Sequence, residues 1–183
     1  MSDYRILLVI DLQREFADRD NGSKEYNKVL GFLEQKENLA VYDKIISTVF
    51  RNGQNKNFRY NLDWGGYAAA DESSLEYMDK ISQDIHTVYI KDSYGTRDNW
   101  IAKTIHMCNT DISKSTKIDI IGCDLDACVM AICFQLWDAG ITDFRVLTDY
   151  CYTTAKDFSK EDVIKLMKRN FGKCIVTSDE DCK

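Results

Sequence analysis

Three residues far apart in the chain carry the groups needed to break an acyl bond: the carboxylate of Asp11, the ammonium of Lys91 and the thiol of Cys128. Each follows a short apolar run. YRILLVI (4–10) stops at Asp11 and HTVYI (86–90) stops at Lys91. IIGCDLDAC (120–128) passes from an apolar run through a glycine and two aspartates to Cys128, which opens an amphipathic helix. A thiol attacks a carbonyl as its thiolate, and a free thiol pKa of about 8.5 leaves little of it ionised at neutral pH. A helix N-terminus and a neighbouring ammonium both lower that value. Asp11 would take the thiol proton and pass it to a leaving amine. Backbone N–H groups around 124–128 would hold the oxyanion.

For the three to meet, the apolar runs must be strands that end at one edge of a sheet. Fully apolar Ile/Val/Leu runs suit strands buried on both faces. Further runs are KIDIIG (117–122), DFRVLTD (143–149) and KCIVTS (173–178), with NFRYNL (57–62) a weaker candidate. Helical spacing predicts a shared face for Leu39, Tyr42, Ile45, Ile46 and Val49, and another for Leu75, Met78 and Ile81. Ile101, Ile105 and Met107 suggest a third helix. Val129, Ile132, Cys133, Leu136 and Trp137 make a fourth, closed by Gly140. Val163, Leu166 and Met167 make a fifth, capped by Ser159 and followed by Gly172. The polar stretches 17–28 and 51–57 read as surface loops. This alternation predicts an α/β three-layer sandwich of Rossmann-like type, a mostly parallel sheet flanked by helices. In such sheets the ligand crevice lies at the carboxyl ends of the strands.

The 183 residues suit a single domain, 1–183. The net charge of −6 and the lack of any Lys/Arg block argue against a nucleic-acid partner. Lys165, Lys168 and Arg169 read as a solvated helix face. Seven scattered cysteines without a CxxC pair argue against a disulfide framework or structural zinc, and point to a reducing cytoplasm. The first apolar run is too short for a signal peptide or a membrane span. Proline is absent altogether. So are the GxGxxG, GxxxxGK[ST] and GxSxG fingerprints.

A free cysteine is more often a buried, inert hydrophobe than a nucleophile. Cys133 on its helix face, and Cys151 and Cys174, read that way. Cys182 reads as a terminal thiol, and Cys123 stands near enough in sequence to pair oxidatively with Cys128. Phe16, Trp64, Tyr67, Tyr94 and Trp100 could wall a pocket for a small planar amide. Each is as well explained by packing, and Trp137 reads as core. Asp126 reads as the cap of the helix that follows it.

Four segments raise the nucleophile reading above that background, because together they resemble the isochorismatase-like cysteine hydrolases. LLVIDLQREF (7–16) is similar to the family's opening strand, with Asp11 as acid/base and Gln13 and Phe16 as companions. YIKDSY (89–94) resembles the strand that delivers the catalytic lysine, here Lys91. IIGCDLDACVMAICFQLWDAGI (120–141) resembles the nucleophile segment and FGKCIVTSDE (171–180) the closing strand. The resemblance implies a six-stranded sheet, a cis peptide at Cys123–Asp124, and an oxyanion hole made by the N–H groups of Asp124 and Cys128. It also implies a small-molecule amide-like substrate, with Gln13, Phe16, Trp64 and Tyr94 as candidates to bind it, and a homo-oligomer of two or more copies. Nicotinamidases in this family bind a metal through an Asp-x-His element after the second strand. In LDWGGY (62–67) Gly65 stands where that histidine would be, and the chain has only His86 and His106. The expectation is a cytoplasmic, metal-free and cofactor-free hydrolase of C–N bonds. Asp124 beside the thiol would oppose its ionisation. The rival expectations are a catalytically silent binding or scaffold protein and a thiol redox protein. Vinyl ether cleavage is a weaker rival, since in this family it does not use a cysteine.

Overall fold

The computed structural model describes residues 3–17, 22–51, 77, 81–111, 113–155 and 157–176. Its centre is β1 (Tyr4–Ile10), whose last five residues are all buried. On one side β1 pairs with β2 (Lys44–Phe50), which pairs with β3 (His86–Lys91). On the other it pairs with β4 (Thr116–Gly122), followed by β5 (Phe144–Cys151) and the two-residue β6 (Ile175–Val176). Every pairing is parallel, and the order is β3-β2-β1-β4-β5-β6. The sheet thus has five full strands and a short sixth.

Alternation along the strands feeds two cores. Ile6, Leu8, Ile10, Ile46, Ile118 and Ile120 face one side. They pack there against helices α4 (Trp100–Cys108), α5 (Met130–Asp138) and α6 (Lys160–Phe171). Leu7, Val9, Ile45 and Ile121 face the other side. Their cover includes Phe16 of the short α1 (Arg14–Ala17) and Tyr26, Val29 and Leu33 of α2 (Gly22–Glu34). A single-turn α3 (Lys36–Leu39) follows. The result is the expected three-layer sandwich. Among the described residues no helix is long and apolar enough to cross a membrane.

Local chemistry sets the ends. The Ser159 hydroxyl accepts the Asp162 N–H at 3.2 Å and so caps α6, an interaction worth about 1 kcal/mol. Gly140, at φ 77°, follows α5 as the spacing predicted. Gly122 ends β4 at φ 122°, and a Cβ there would lie 2.1 Å from the Ile10 carbonyl oxygen. Only glycine lets β4 run this close to β1 just before the nucleophile turn.

Several expectations are corrected. Residues 44–50 form β2 rather than part of a helix. KIISTVF is buried at six of its seven positions, and a strand buried on both faces lacks the alternation that would distinguish it. Within the expected loop 17–28, Ala17 ends α1 and the residues from Gly22 onward are α2; 18–21 lie outside the described residues. In α6 the buried positions are Val163, Met167 and Phe171, and Leu166 is exposed. Trp137 is 41% exposed and leans edge-on against Phe144 and Phe171 rather than filling the core. The candidate strand 57–62 lies outside the described residues, as does the helix of Leu75 and Met78.

Candidate active site

The strand order reverses between β1 and β4, and parallel sheets open a crevice at the carboxyl edge of such a switch. Asp11 leaves the end of β1 in a left-handed conformation, φ 44°. Lys91 is the last residue of β3 and the buried end of an otherwise half-exposed edge strand. Cys128 lies in a single π-helical turn, Leu125–Val129, between β4 and α5. That turn is held by the Val129 N–H donating to the Asp124 carbonyl at 2.9 Å.

These three side chains meet. The Lys91 ammonium lies 2.6 Å from Asp11 Oδ2 and donates to Cys128 Sγ at 3.3 Å and to the Ser93 carbonyl at 2.8 Å. The ammonium thus faces a carboxylate, a thiol and a carbonyl, and the Phe50 ring lies 5.4 Å from the nitrogen. Thr48, on the intervening β2, donates its hydroxyl to Asp11 Oδ1 at 2.7 Å and accepts the Asp11 N–H at 3.2 Å. Each Asp11 oxygen thus has its own partner. Asp11 and Lys91 are 0% and 3% exposed, and Cys128 is 6% exposed.

Burial pushes the Cys128 thiol well above its ordinary range. The Asp11 charge adds to that rise and Lys91 opposes it. This corrects the expectation of a thiol lowered by its lysine, because desolvation and Asp11 outweigh Lys91. For Lys91, burial alone favours the neutral amine, but Asp11 and Cys128 reverse that and the net direction is upward. Burial thus holds the thiol toward its protonated form, beside the Asp11–Lys91 contact.

The turn before Cys128 is pinned by the segment that leaves β5. The Cys123–Asp124 peptide is cis. The Tyr152 N–H donates to the Gly122 carbonyl at 3.2 Å, and the Leu125 N–H donates to the Tyr152 carbonyl at 2.9 Å. Thr154 gives its N–H and its hydroxyl to the two Asp124 oxygens, at 2.7 and 2.9 Å. The Cys123 thiol donates to Asp124 Oδ1 at 2.9 Å. Burial raises the Asp124 carboxyl, against the lowering effect of those bonds. Asp124 is thus a tie between loops, and the carboxylate that weighs most on Cys128 is Asp11. Asp126 accepts from the Thr153 hydroxyl and does not cap the helix, whose N-cap position belongs to Asp124.

The four candidate substrate residues divide. Tyr94 is 37% exposed at the mouth; burial and then Cys128 raise its phenol, which stays protonated. Gln13 is fully buried and exchanges two hydrogen bonds with the Phe50 backbone, at 2.7 and 3.1 Å, tying the exit of β1 to β2. Phe16 is buried against Phe50. Both side chains brace the exit of β1 against Phe50. Trp100 stacks on Tyr89 at 4.4 Å. Trp64 and Tyr67 lie outside the described residues. Sequence reasoning missed Thr48, Thr153 and Thr154; the β-branched pattern of ISTV was the available sign of Thr48's strand.

The residue after β2 is Arg51, and LDWGGY (62–67) lies outside the described residues. His86 begins β3 at the opposite edge and bonds Ser47 Oγ at 2.8 Å, while His106 is exposed on α4. Among the described residues no group of three His, Cys, Asp or Glu side chains is arranged to hold a metal.

No protein-family model matches the chain, and no curated protein sequence matches it. Solved structures do. A nicotinamidase from Bacillus subtilis aligns with a TM-score of 0.70 at 12% identity, over 94% of this chain and 99% of that one. The N-carbamoylsarcosine amidase of Thermoplasma acidophilum gives 0.65 at 17% identity, over 96% and 95%. The MAR1 ribonuclease of Caenorhabditis elegans gives 0.66 at 15% identity, over 100% and 81%. These neighbours are isochorismatase-like cysteine hydrolases, and the chain shares their fold.

Proposed function

We propose that the chain, as one domain over 1–183, is a metal-independent cysteine hydrolase that cleaves a C–N bond in a small amide-like molecule. One observation carries the reading. A buried ammonium touches both a carboxylate and a thiol at the carboxyl edge of a parallel sheet. The amidase neighbours support the choice of an amide. The reading extends to a cytoplasmic homo-oligomer, as the sequence resemblance implies.

The chemistry follows from the resting protonation. Asp11 takes the proton from Cys128 Sγ as the sulfur bonds to the substrate carbonyl carbon. Lys91 stabilises the sulfur while it carries charge. The oxyanion is held by the N–H groups of Asp124 and Cys128; the Leu125, Ala127 and Val129 amides are already bonded to backbone carbonyls. Asp11 then gives its proton to the nitrogen, the C–N bond breaks, and ammonia or an amine leaves a thioester. Water loses a proton to Asp11 and attacks the thioester. The acid departs, and the proton returns to sulfur.

The test is a panel of small amides and N-carbamoyl compounds, nicotinamide and N-carbamoylsarcosine included, assayed for released ammonia or amine. Cys128→Ala should abolish every turnover found while retaining the native near-UV spectrum. Turnover that survives Cys128→Ala would remove the thiol from the mechanism.

A further inference from the structure

The helix of the nucleophile meets the segment of Lys91 in two places. One is the contact of thiol and ammonium. The other is Gln135, seven residues beyond Cys128 and two helical turns along. Gln135 Oε1 accepts the Thr96 N–H at 2.8 Å and the Thr96 hydroxyl at 3.1 Å, and its Nε2 donates to the Thr96 carbonyl at 2.6 Å. Its backbone carbonyl accepts from Asn99 Nδ2 at 3.3 Å. Thr96 is buried, and its hydroxyl also accepts the Ile101 N–H that opens α4.

Between Lys91 and Thr96 the chain turns tightly. The Ser93 carbonyl is the third acceptor of the ammonium, and the Ser93 hydroxyl donates to the Gly95 carbonyl at 2.8 Å. Glycine at 95 permits the close approach, since a Cβ there would lie 2.7 Å from Gln135 Oε1. Tyr94 sits in the same turn.

We propose that Gln135 is a positioning residue for the thiol centre: by clasping Thr96 it fixes the 93–96 turn, and with it the Ser93 carbonyl that aims the Lys91 ammonium. The inference rests on the hydrolase reading above. Asp11 is fixed by the end of a central strand and by Thr48, and Cys128 by its pinned helical turn. Ser93 is the acceptor held only by a turn. If that turn drifts, the ammonium follows its stronger partners. The bond that then gives way is the one to the thiol, because sulfur is a weaker acceptor than a carboxylate or a carbonyl oxygen.

The experiment uses the full chain and iodoacetamide, with alkylation of the Cys128 peptide read by mass spectrometry across pH. The plateau rate reports access to the thiol, and the pH midpoint reports its charged neighbours: Asp11, Lys91 and, at the mouth, Tyr94. Gln135→Ala removes the clasp. Gly95→Ala pushes it aside with little effect on folding, because the atom it meets ends a flexible side chain. Both should raise the midpoint by about half a pH unit, roughly threefold less thiolate at a given pH, in the direction of a larger shift from Lys91→Ala. If both variants fold and keep the wild-type midpoint while Lys91→Ala moves it, Gln135 only packs and the inference falls. If Lys91→Ala leaves the midpoint unchanged, the thiol reading itself falls.

Discussion

Asp119 and Asp11 are both buried carboxylates facing cations, one in the middle of β4 and the other just past the end of the neighbouring β1. Asp119 accepts from Arg5 at 3.0 Å, from Arg145 at 2.8 and 2.9 Å and from the Tyr42 hydroxyl at 2.9 Å. Its charge is balanced by two guanidiniums, and those bonds satisfy its oxygens. Its effect on a neighbour is inert: burial and Asp119 push the Tyr42 phenol far up, so it stays protonated. A cleft lined by Asp3, Arg5, Lys117, Ile118, Asp143 and Arg145 opens there, rich in both cation and carboxylate and without a nucleophile. Asp11 instead shares one ammonium with a thiol. The Asp119 network shows that buried charge alone does not mark a site. Competition of two acidic groups for one cation does, because it leaves a proton free to move.

The widest separation between the two centres should come from matched variants. Asp11→Asn should lower turnover about 10³-fold, within the range for a missing general base. Asp119→Asn should leave turnover near wild type but lower stability by about 3 kcal/mol in urea unfolding. That is the low end for a broken buried pair, because the two arginine side chains are about a third exposed. If Asp119→Asn destroyed turnover in a protein still folded, the contrast would fail.

A second effect has opposite signs in two variants. Asp11→Asn removes a charge that raises the Cys128 thiol, so the alkylation midpoint should fall although turnover is abolished or nearly so. Lys91→Ala should move it up. Movement of the midpoint in the same direction in both would contradict the opposing roles of Asp11 and Lys91 at the thiol.

A smaller effect lies at the edge strand. Burial and Lys44 push the His86 imidazole down from 6.5 to about 4. The unfolded chain therefore takes the proton first as pH falls. The corresponding stability is fully present above about 6.5 and declines progressively toward about 4. Subtracting the urea-midpoint profile of His86→Gln from that of wild type should leave this acid limb. The smallest expected change is Tyr94→Phe, which should raise KM severalfold with kcat little altered, on the proposal that this half-exposed phenol binds substrate and takes no part in the chemistry.

What the sequence made legible follows the same contrast. Asp11, Lys91 and Cys128 could be found because each follows an apolar run that stops abruptly, and in a parallel sheet such stops gather at one edge. The strand carrying Thr48 was hidden, because Ile45, Ile46 and Val49 with Tyr42 and Leu39 imitate a helical face when every position is buried. Helix α2 was hidden by its polar opening, although Tyr26, Val29 and Leu33 keep helical spacing. Thr154 and Gln135 have no local sign, since their roles consist of contacts across 30 and 39 residues of chain. The state of the thiol was also out of reach. Sequence supplies the helix terminus and the lysine, while the opposing burial and the proximity of Asp11 exist only in the fold.

The most direct measurement is acid-quenched mass spectrometry of the chain mixed with each amide of the panel, searching the Cys128 peptide for an acyl adduct. The account predicts the mass of the substrate acyl group on Cys128, absent from Cys128→Ala and persisting longer in Asp11→Asn wherever acylation still occurs. Turnover of an amide with no adduct on Cys128 at any quench time, and unchanged in Cys128→Ala, would contradict it.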